Sequence, residues 1–584
     1  MKKIFCYLHS YKLLSVISPL LMIGEVAADL MLPYLMSFIV NYGIIGMDMD
    51  IIIRFGLLMI LITFLGGCFG VAVAYTSSRA AHGLGNDLRC DAYQKVMSLS
   101  IEQADQFTTG SLITRMTNDI AMVVEFVEQL LRSFVRPPTF IIGGAIMLSL
   151  LNAQFALILI ATLPALILII FLVLRKAIPL YGTVQHKLDK VNTIVQENIS
   201  GARMVKAYVR EEYECRRFQE GNEELRDVNY KVLKRMAVVS PVLSILLNLA
   251  VILVIYIGGF HIQIQNAGMT TGAVMAAISY MTHSLNSVMM ATNLFQSISR
   301  ASASAKRISE ILETEPVITD GSGSGSRGDG DVAVSFRNVR FHYPGSVGRP
   351  VLHDINLDIR KGEVMAIIGA TGSGKSSMAS LIPRFYDTDE GQVLVDGLSV
   401  KEYPLAELRK KIGYVMQKTE LFSDTIAGNL RWGKKDATPQ QIDTAAEIAQ
   451  ASGFISGFGE RFNTYIAEKG ASLSGGQKQR ISIARALVRQ PEILILDDST
   501  SALDFLTESM FRRALKASLK HTTVIIIAQR IASVMDADRI AVLENDGTIR
   551  CCGKHQDLMK LSTTYRDIYD SQMKTGTYAL GEGC

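Results

Sequence analysis

The residues with the clearest chemistry stand together, where glycine, lysine and serine are spaced to hold phosphate. Gly369, Ala370, Thr371, Gly372, Ser373, Gly374, Lys375 and Ser376 follow the apolar run 364–368 and precede a helical stretch to Phe385. This is the G-x-x-x-x-G-K-[ST] pattern in the strand–loop–helix setting that it requires. Glycines are needed because the backbone must wrap the phosphates closely enough for its N–H groups to bond them. Lys375 supplies charge at the outer phosphates, and the Ser376 hydroxyl is placed to ligate Mg²⁺, with Ser377 next along the same helix start. The helix N-terminus adds its partial positive charge. A second apolar strand, 493–496, ends in Asp497, which can hold the same Mg²⁺ through water.

Those elements need a domain of their own, and the composition marks where it begins. The 584 residues are 49% hydrophobic, and 59 Lys and Arg against 55 Asp and Glu give a formal charge of only +4, so the chain advertises no general attraction for nucleic acid. The average conceals an uneven spread. Residues 137–174 and 236–299 carry no Asp, Glu, Lys or Arg, and residues 13–78 carry only Glu25, Asp29, Asp48, Asp50 and Arg54. A spanning helix needs about 20 apolar residues, so a purely soluble protein is excluded. The runs predict six spans, near 13–41, 51–78, 134–152, 155–175, 238–264 and 272–298. The short loops lie around Asp48–Asp50, Asn152–Gln154 and Asn266–Thr271. The long connections, 79–133 and 176–235, hold Arg79, Arg89, Lys95, Arg115, Arg175, Lys176, Lys187, Lys190, Arg203, Lys206 and Arg210. The positive-inside bias therefore puts these connections and both termini in the cytoplasm. Lys2 and Lys3, ahead of an apolar stretch without a small-residue cleavage site, read as an uncleaved lead-in to the first span.

Glu25 and Asp29 are four residues apart and share a face of the first span. They read either as a polar lining that attracts a cationic substrate or as hydrogen-bond partners for another helix. Asn248, His261, His283, Asn286, Asn293 and Gln296 read as ordinary interhelical contacts. Pro19, Pro33, Pro164 and Pro241 are positions where helices could kink. The transmembrane domain is expected over 1–315. A Gly/Ser-rich linker over 316–331 includes Gly321–Gly328. The phosphate-binding α/β domain is expected over 332–575, and a tail over 576–584. The cysteines Cys6, Cys68, Cys90, Cys215, Cys551, Cys552 and Cys584 form no CxxC pair and no zinc spacing, which suits unpaired thiols in a reducing compartment or in lipid.

One further motif carries a resemblance. Leu473, Ser474, Gly475, Gly476 and Gln477, followed by Lys478, Gln479 and Arg480, stand just upstream of the Asp497 strand. With the phosphate loop, this resembles the signature of the ATP-binding cassette (ABC) transporters over nearly the whole chain. Six spans followed by one cassette resemble an exporter-type half-transporter. The implied architecture is a multidomain membrane protein, an all-α six-helix transmembrane domain joined to an α/β P-loop NTPase cassette. The resemblance implies ATP and Mg²⁺ as cofactors. It also implies Tyr343 stacked on adenine, Gln417 reaching Mg²⁺ and the attacking water, and Glu468 and Gly470 in a loop that touches the membrane domain. Ser501–Asp504 would form the D-loop, and coupling helices would lie near 103–111 and 205–216. It implies a dimer, because the signature Ser and Gly groups contact ATP held by the other cassette. Cys551–Cys552 reads as an exposed pair without a role, and Trp432 as packing.

Two positions depart from that family. Asp498 stands where the family places the Glu that polarises the attacking water, and Gln529 stands where it places a histidine. Asp is one methylene shorter, whereas a general base must come within about 2.6–3.2 Å of its water; Gln can hydrogen-bond a phosphate oxygen but brings no positive charge. Both changes predict a weak hydrolytic site in this chain beside an intact signature. The expectation is a heterodimeric, multidrug-type exporter of amphipathic small molecules in a bacterial plasma membrane, in contact with the lipid bilayer. A second half-transporter would supply the consensus site; a homodimer would have two poor ones. The alternatives are an ATP-binding regulatory or sensor subunit and an exporter of lipid or peptide. An importer is disfavoured because spans and cassette are fused.

Overall fold

A computed structural model describes residues 2–263, 269–323, 330–346 and 348–578. Residues of the third short loop (264–268, with Asn266), of the Gly/Ser-rich segment (324–329, with Gly328) and of the tail (579–584, with Cys584) lie outside the described residues, as do the side chains of Asn293 and Gln296. The chain forms two compact units: Met1–Met97 with Thr109–Thr314, and Ser98–Thr108 with Glu315–Cys584.

The first unit is helical. Its long helices are Lys12–Phe38, Met49–Ser98, Arg136–Leu151, Ala153–Ser200, Glu211–Ala237, Val239–Gln263 and Thr271–Glu313. At 1.5 Å per residue, Met49–Ser98 is about 75 Å long, against a hydrocarbon core of about 30 Å, so it runs far past the bilayer. Among the described residues, five helices are long and apolar enough to cross a membrane. The sixth expected span is helical throughout but more polar, with His283, Ser284, Asn286 and Ser287 in its middle.

The inward faces form a core of Met22, Val26, Leu30, Phe140, Phe155, Val254, Tyr280 and Leu285. Outward positions such as Leu57, Ile60, Phe64, Ile160, Ile167 and Ile252 are exposed, as a lipid-facing surface requires. Small residues bring helices close. A Cβ on Gly144 would meet Ser284 Oγ, and one on Gly143 would meet Leu30. The polar groups at these contacts are used: Tyr280 O–H donates to the Leu30 carbonyl at 2.8 Å and Ser284 O–H to that of Phe140 at 3.2 Å. Two of the short turns are capped by their own side chains, Asp48 accepting from the Asp50 N–H and Asn152 from the Gln154 N–H.

The second unit is an α/β cassette. An antiparallel sheet runs Leu352–Arg360, Val332–Phe341, Glu390–Val395 and Leu398–Ser399. A larger sheet runs, edge to edge, Ile549–Gly553, Arg539–Leu543, Val364–Gly369, Thr523–Ile527, Ile493–Asp497 and Ile412–Val415. All but the first are parallel, and their apolar runs are buried on both faces. Register pairs Ile527 with Ile367 and Asp497, and Val415 with Leu496. The carboxyl ends therefore align, and the loops after them open at one edge, where open α/β sheets bind ligands.

Two segments bear on the linker reading. Residues 316–323 lie along the cassette and are held there: the N–H groups of Gly321 and Gly323 donate to the Tyr403 and Glu402 carbonyls, and Arg384 donates to the Thr319 carbonyl. Composition suggests a flexible tether, but these backbone groups find fixed partners. Helix Ile101–Phe107 also belongs to this unit. Ser100 and Gln103 form its capping box, and buried Gln103 donates to the Glu315 carbonyl at 2.7 Å while its Oε1 accepts from the Val317 N–H at 3.3 Å.

Candidate nucleotide site

The phosphate loop leaves the sheet at Gly369, where a Cβ would collide with the Leu543 carbonyl. It enters helix Lys375–Leu381 through Gly374, whose φ of +97° and 2.9 Å approach to the Val351 carbonyl suit no side chain. Lys375 is buried and donates to the Gly369 and Ala370 carbonyls at 2.9 and 2.7 Å, so the ammonium sits in the curl of the loop. Burial lowers its pKa, and the nearby Asp498 and Asp497 partly restore it. Ser376 O–H donates to Asp497 Oδ1 at 2.7 Å, and Tyr414 O–H to Oδ2 at 3.2 Å. Burial raises the Asp497 pKa despite these donors.

Ser376 and Asp497 offer hard oxygens side by side, the donor type Mg²⁺ prefers. Among the described residues no cluster of three His, Cys, Asp or Glu could hold a metal. Mg²⁺ held there would take one or two protein oxygens, with water and phosphate completing its shell.

Asp498 follows at φ +46°, the left-handed region, with its N–H bonded to the Ile527 carbonyl at 2.9 Å. A non-glycine residue there costs roughly 1–2 kcal/mol. Its Oδ2 accepts from Gln417 Nε2 at 3.2 Å and from Gln529 Nε2 at 3.3 Å. Burial raises the Asp498 pKa, countered by the Gln417 hydrogen bond, Lys375 and Arg530. Three loops thus converge on one carboxylate through neutral amides. Tyr343 O–H and Ser377 Oγ are 2.8 Å apart, and the Tyr343 ring packs edge-on against Phe341 and Tyr386.

These groups line a cleft of about 350 Å³ that includes Tyr343, Thr371, Gly372, Gly374, Lys375, Ser376, Ser377, Gln417, Asp497, Asp498 and Gln529. Ser474, Gly475, Gly476 and Gln477 do not line it. Ser474 caps helix Gly475–Val488 in a capping box with Gln477, and Gly476 lies so close to the Ala502 carbonyl that a Cβ would be 3.0 Å away. Gln479, buried on this helix, accepts from the Ala502 N–H at 3.1 Å. Within one chain the two halves of the expected ATP site are separate surfaces.

Several contributors carry no motif. Gln572 on the C-terminal helix donates to the Gln529 carbonyl and accepts from the Ile531 N–H, both at 2.8 Å, clasping the backbone on each side of Arg530. Trp432 is not core packing: it is 62% exposed and stacked on Phe422 at 4.1 Å. Cys551 and Cys552 sit on strand Ile549–Gly553, the second exposed and beside Arg539. In the first unit, Glu25 and Asp29 share Arg136 Nη2, at 3.6 and 3.3 Å. That arginine also lies over the Phe140 ring, which stacks on His283.

Helical spans fused to a phosphate-binding cassette define an ATP-driven membrane transporter, and comparison with known proteins agrees. Residues 15–288 match the ABC transporter transmembrane region and residues 352–501 the ABC transporter family. An uncharacterized ABC transporter ATP-binding protein of Bacillus subtilis, YfiB, is 38% identical over 98% of both chains. The ATP-dependent lipid A-core flippase of Shigella flexneri is 32% identical over 95% of both. The fold is shared with a bacterial Atm1-family ABC exporter solved with ATP bound, at a TM-score of 0.80 and 24% identity over 96% of this chain and 99% of that one. This chain belongs to the ABC transporters: it is an exporter-type half-transporter, a multi-pass membrane protein whose transmembrane domain is fused to an ATP-hydrolysing cassette.

Proposed function

We propose that the chain is the degenerate-site half of a heterodimeric exporter that moves amphipathic small molecules out of a bacterial cell. The cassette and both termini would be cytoplasmic. Its own phosphate loop holds ATP with little turnover, and its Ser474–Gln477 segment completes the hydrolytic site of a partner half. The observation that carries this reading is the Asp498 carboxylate engaged by two neutral amides, Gln417 and Gln529, at 3.2 and 3.3 Å.

Each residue's part follows from its chemistry. Tyr343 offers a ring face to adenine at the cleft mouth. The N–H groups of the loop after Gly369 and the Lys375 ammonium bind phosphate oxygens, exchanging the carbonyls that Lys375 holds for stronger, charge-assisted partners. Ser376 and Asp497 would hold Mg²⁺, which would supply neutralisation of phosphate charge. Asp498 is short, satisfied by amides and on a strained backbone, so it is poorly disposed to draw a proton from water. Losing about 1 Å of positioning can cost on the order of a hundredfold in rate. Gln529 brings no positive charge to the phosphates. A site that binds and releases slowly biases the closed dimer, while the partner's site resets it. The capped signature helix favours the pump over a sensor subunit, which has no need of that segment.

The test is the ATP turnover of this chain purified alone in lipid. The reading expects turnover far below that of the assembled exporter, and equal turnover overturns it. Lipid is a second candidate cargo, favoured by the similarity to a lipid A-core flippase. A flipping assay with labelled lipid in vesicles separates it from small-molecule export.

A further inference from the structure

Helix Phe505–Ser518 lies beneath two loops of the cassette, 498–504 and 528–538. Its Glu508 is 3% exposed, and one of its oxygens serves both loops: Oε1 accepts from Thr500 O–H at 3.2 Å and from Ser533 O–H at 2.5 Å. One turn later, Arg512 donates to the Ala532 carbonyl and pairs with Asp536 at 3.7 Å. Each loop leads to a different functional surface. Two residues beyond Thr500, the Ala502 N–H is bonded to Gln479 of the signature helix. Four residues before Ser533, Gln529 holds the Asp498 carboxylate. Two hydroxyls on one buried oxygen cannot move independently, because displacing either changes the acceptor geometry seen by the other.

We infer that Glu508 is a positioning residue that couples the signature helix to Gln529, so that a shift at Ser474–Gln477 alters how Gln529 holds Asp498. This rests on the family's ATP hydrolysis: coupling is reciprocal, so a loosened hold on Gln529 also shifts Ser474–Gln477, and it reaches turnover at whichever site that segment completes. The degenerate-site reading fails on a different measurement, the turnover of this chain alone.

The experiment uses the full chain in its assembled dimer in lipid nanodiscs, with kcat and KM for ATP and the melting temperature recorded for each variant. Thr500→Val and Ser533→Ala remove one hydroxyl each and leave the carboxylate in place. The expected result is a loss of about threefold or more in kcat for each, KM within about twofold, and no further loss in the double variant, the signature of two residues acting through one. Glu508→Ala is expected to lose about tenfold in kcat and Glu508→Gln, which keeps an acceptor at Oε1, to recover at least about half of wild-type kcat. Multiplicative losses in the double variant, or silent single variants, overturn the coupling. Equal damage from Ala and Gln at 508 overturns the role of its acceptor oxygen. Should Glu508→Ala fail to fold, the Thr500 and Ser533 pair decides the matter alone.

Discussion

In the proposed reading Asp498 and Gln529 slow this cassette, and replacing both tests that directly. Asp498→Glu with Gln529→His restores a longer carboxylate and a group that can carry charge. The double variant, purified alone, is expected to turn over ATP about tenfold faster than the unaltered chain, with Asp498→Glu by itself giving less. Lys375→Ala in the same protein removes the cation at the phosphates and is expected to abolish ATP binding, read by equilibrium binding of a fluorescent ATP analogue. The phosphate loop was legible in the sequence because close backbone approach admits only glycine at Gly369 and Gly374, and composition records that constraint. The clamp on Asp498 was legible only as two departures, Asp498 and Gln529, beside a Gln417 that matches the family. Its geometry depends on loops after three different strands meeting at one sheet edge. Glu508 left no trace at all: a glutamate in the first turn of a polar helix reads as solvent-facing, and only packing buries it.

At the scale of elements, the prediction concerns charge inside the first unit. Glu25 and Asp29 stand on Lys12–Phe38, and Arg136 opens helix Arg136–Leu151. Sequence reading missed that arginine because it stands one residue ahead of the charge-free run, and because pairing across helices leaves no spacing to read. Arg136→Met leaves two acids facing each other without a cation and is expected to lower the melting temperature in lipid by several degrees. Adding Glu25→Gln and Asp29→Asn should restore most of the loss; if it does not, the three residues do not form one cluster. In the cassette, helix Leu405–Lys411 is anchored by Lys411 to Asp396 and, at 3.1 Å, to Glu492. Burial alone would lower the pKa of this lysine, yet the two carboxylates outweigh it and hold the ammonium above its ordinary value. A raised lysine gives its full stabilisation below the unfolded value of about 10.4 and loses it as pH rises through the folded one. Lys411→Met should therefore melt below wild type at neutral pH, and the gap should narrow in alkali. The helical spans were legible from runs poor or lacking in charge, whereas the extension of Met49–Ser98 far beyond the bilayer was not, because its second half is polar and leaves no apolar run to follow.

The whole molecule is a transporter half whose nucleotide cleft and signature are separate surfaces on one chain. Ser474→Arg in the assembled exporter is therefore expected to reduce turnover to below about a tenth while this chain's own cleft still binds ATP, measured by labelling at the P-loop. Loss of binding at that cleft instead would place both functions on one surface. The segment 98–108 gives the molecule another property. Because Gln103 holds Glu315 and Val317, and Glu102 and Asp105 lie within electrostatic reach of Tyr386, the cassette is discontinuous in sequence. A soluble fragment begun at 332 would omit the clasp and the stretch 316–323 bonded to Glu402 and Tyr403. Tyr386, which packs against Tyr343, would face water on a side that the intact chain supplies. Nucleotide affinities taken from such a fragment would describe a cassette missing one wall beside Tyr343, and adding a peptide of residues 98–108 in trans is the simplest way to measure how much that wall contributes.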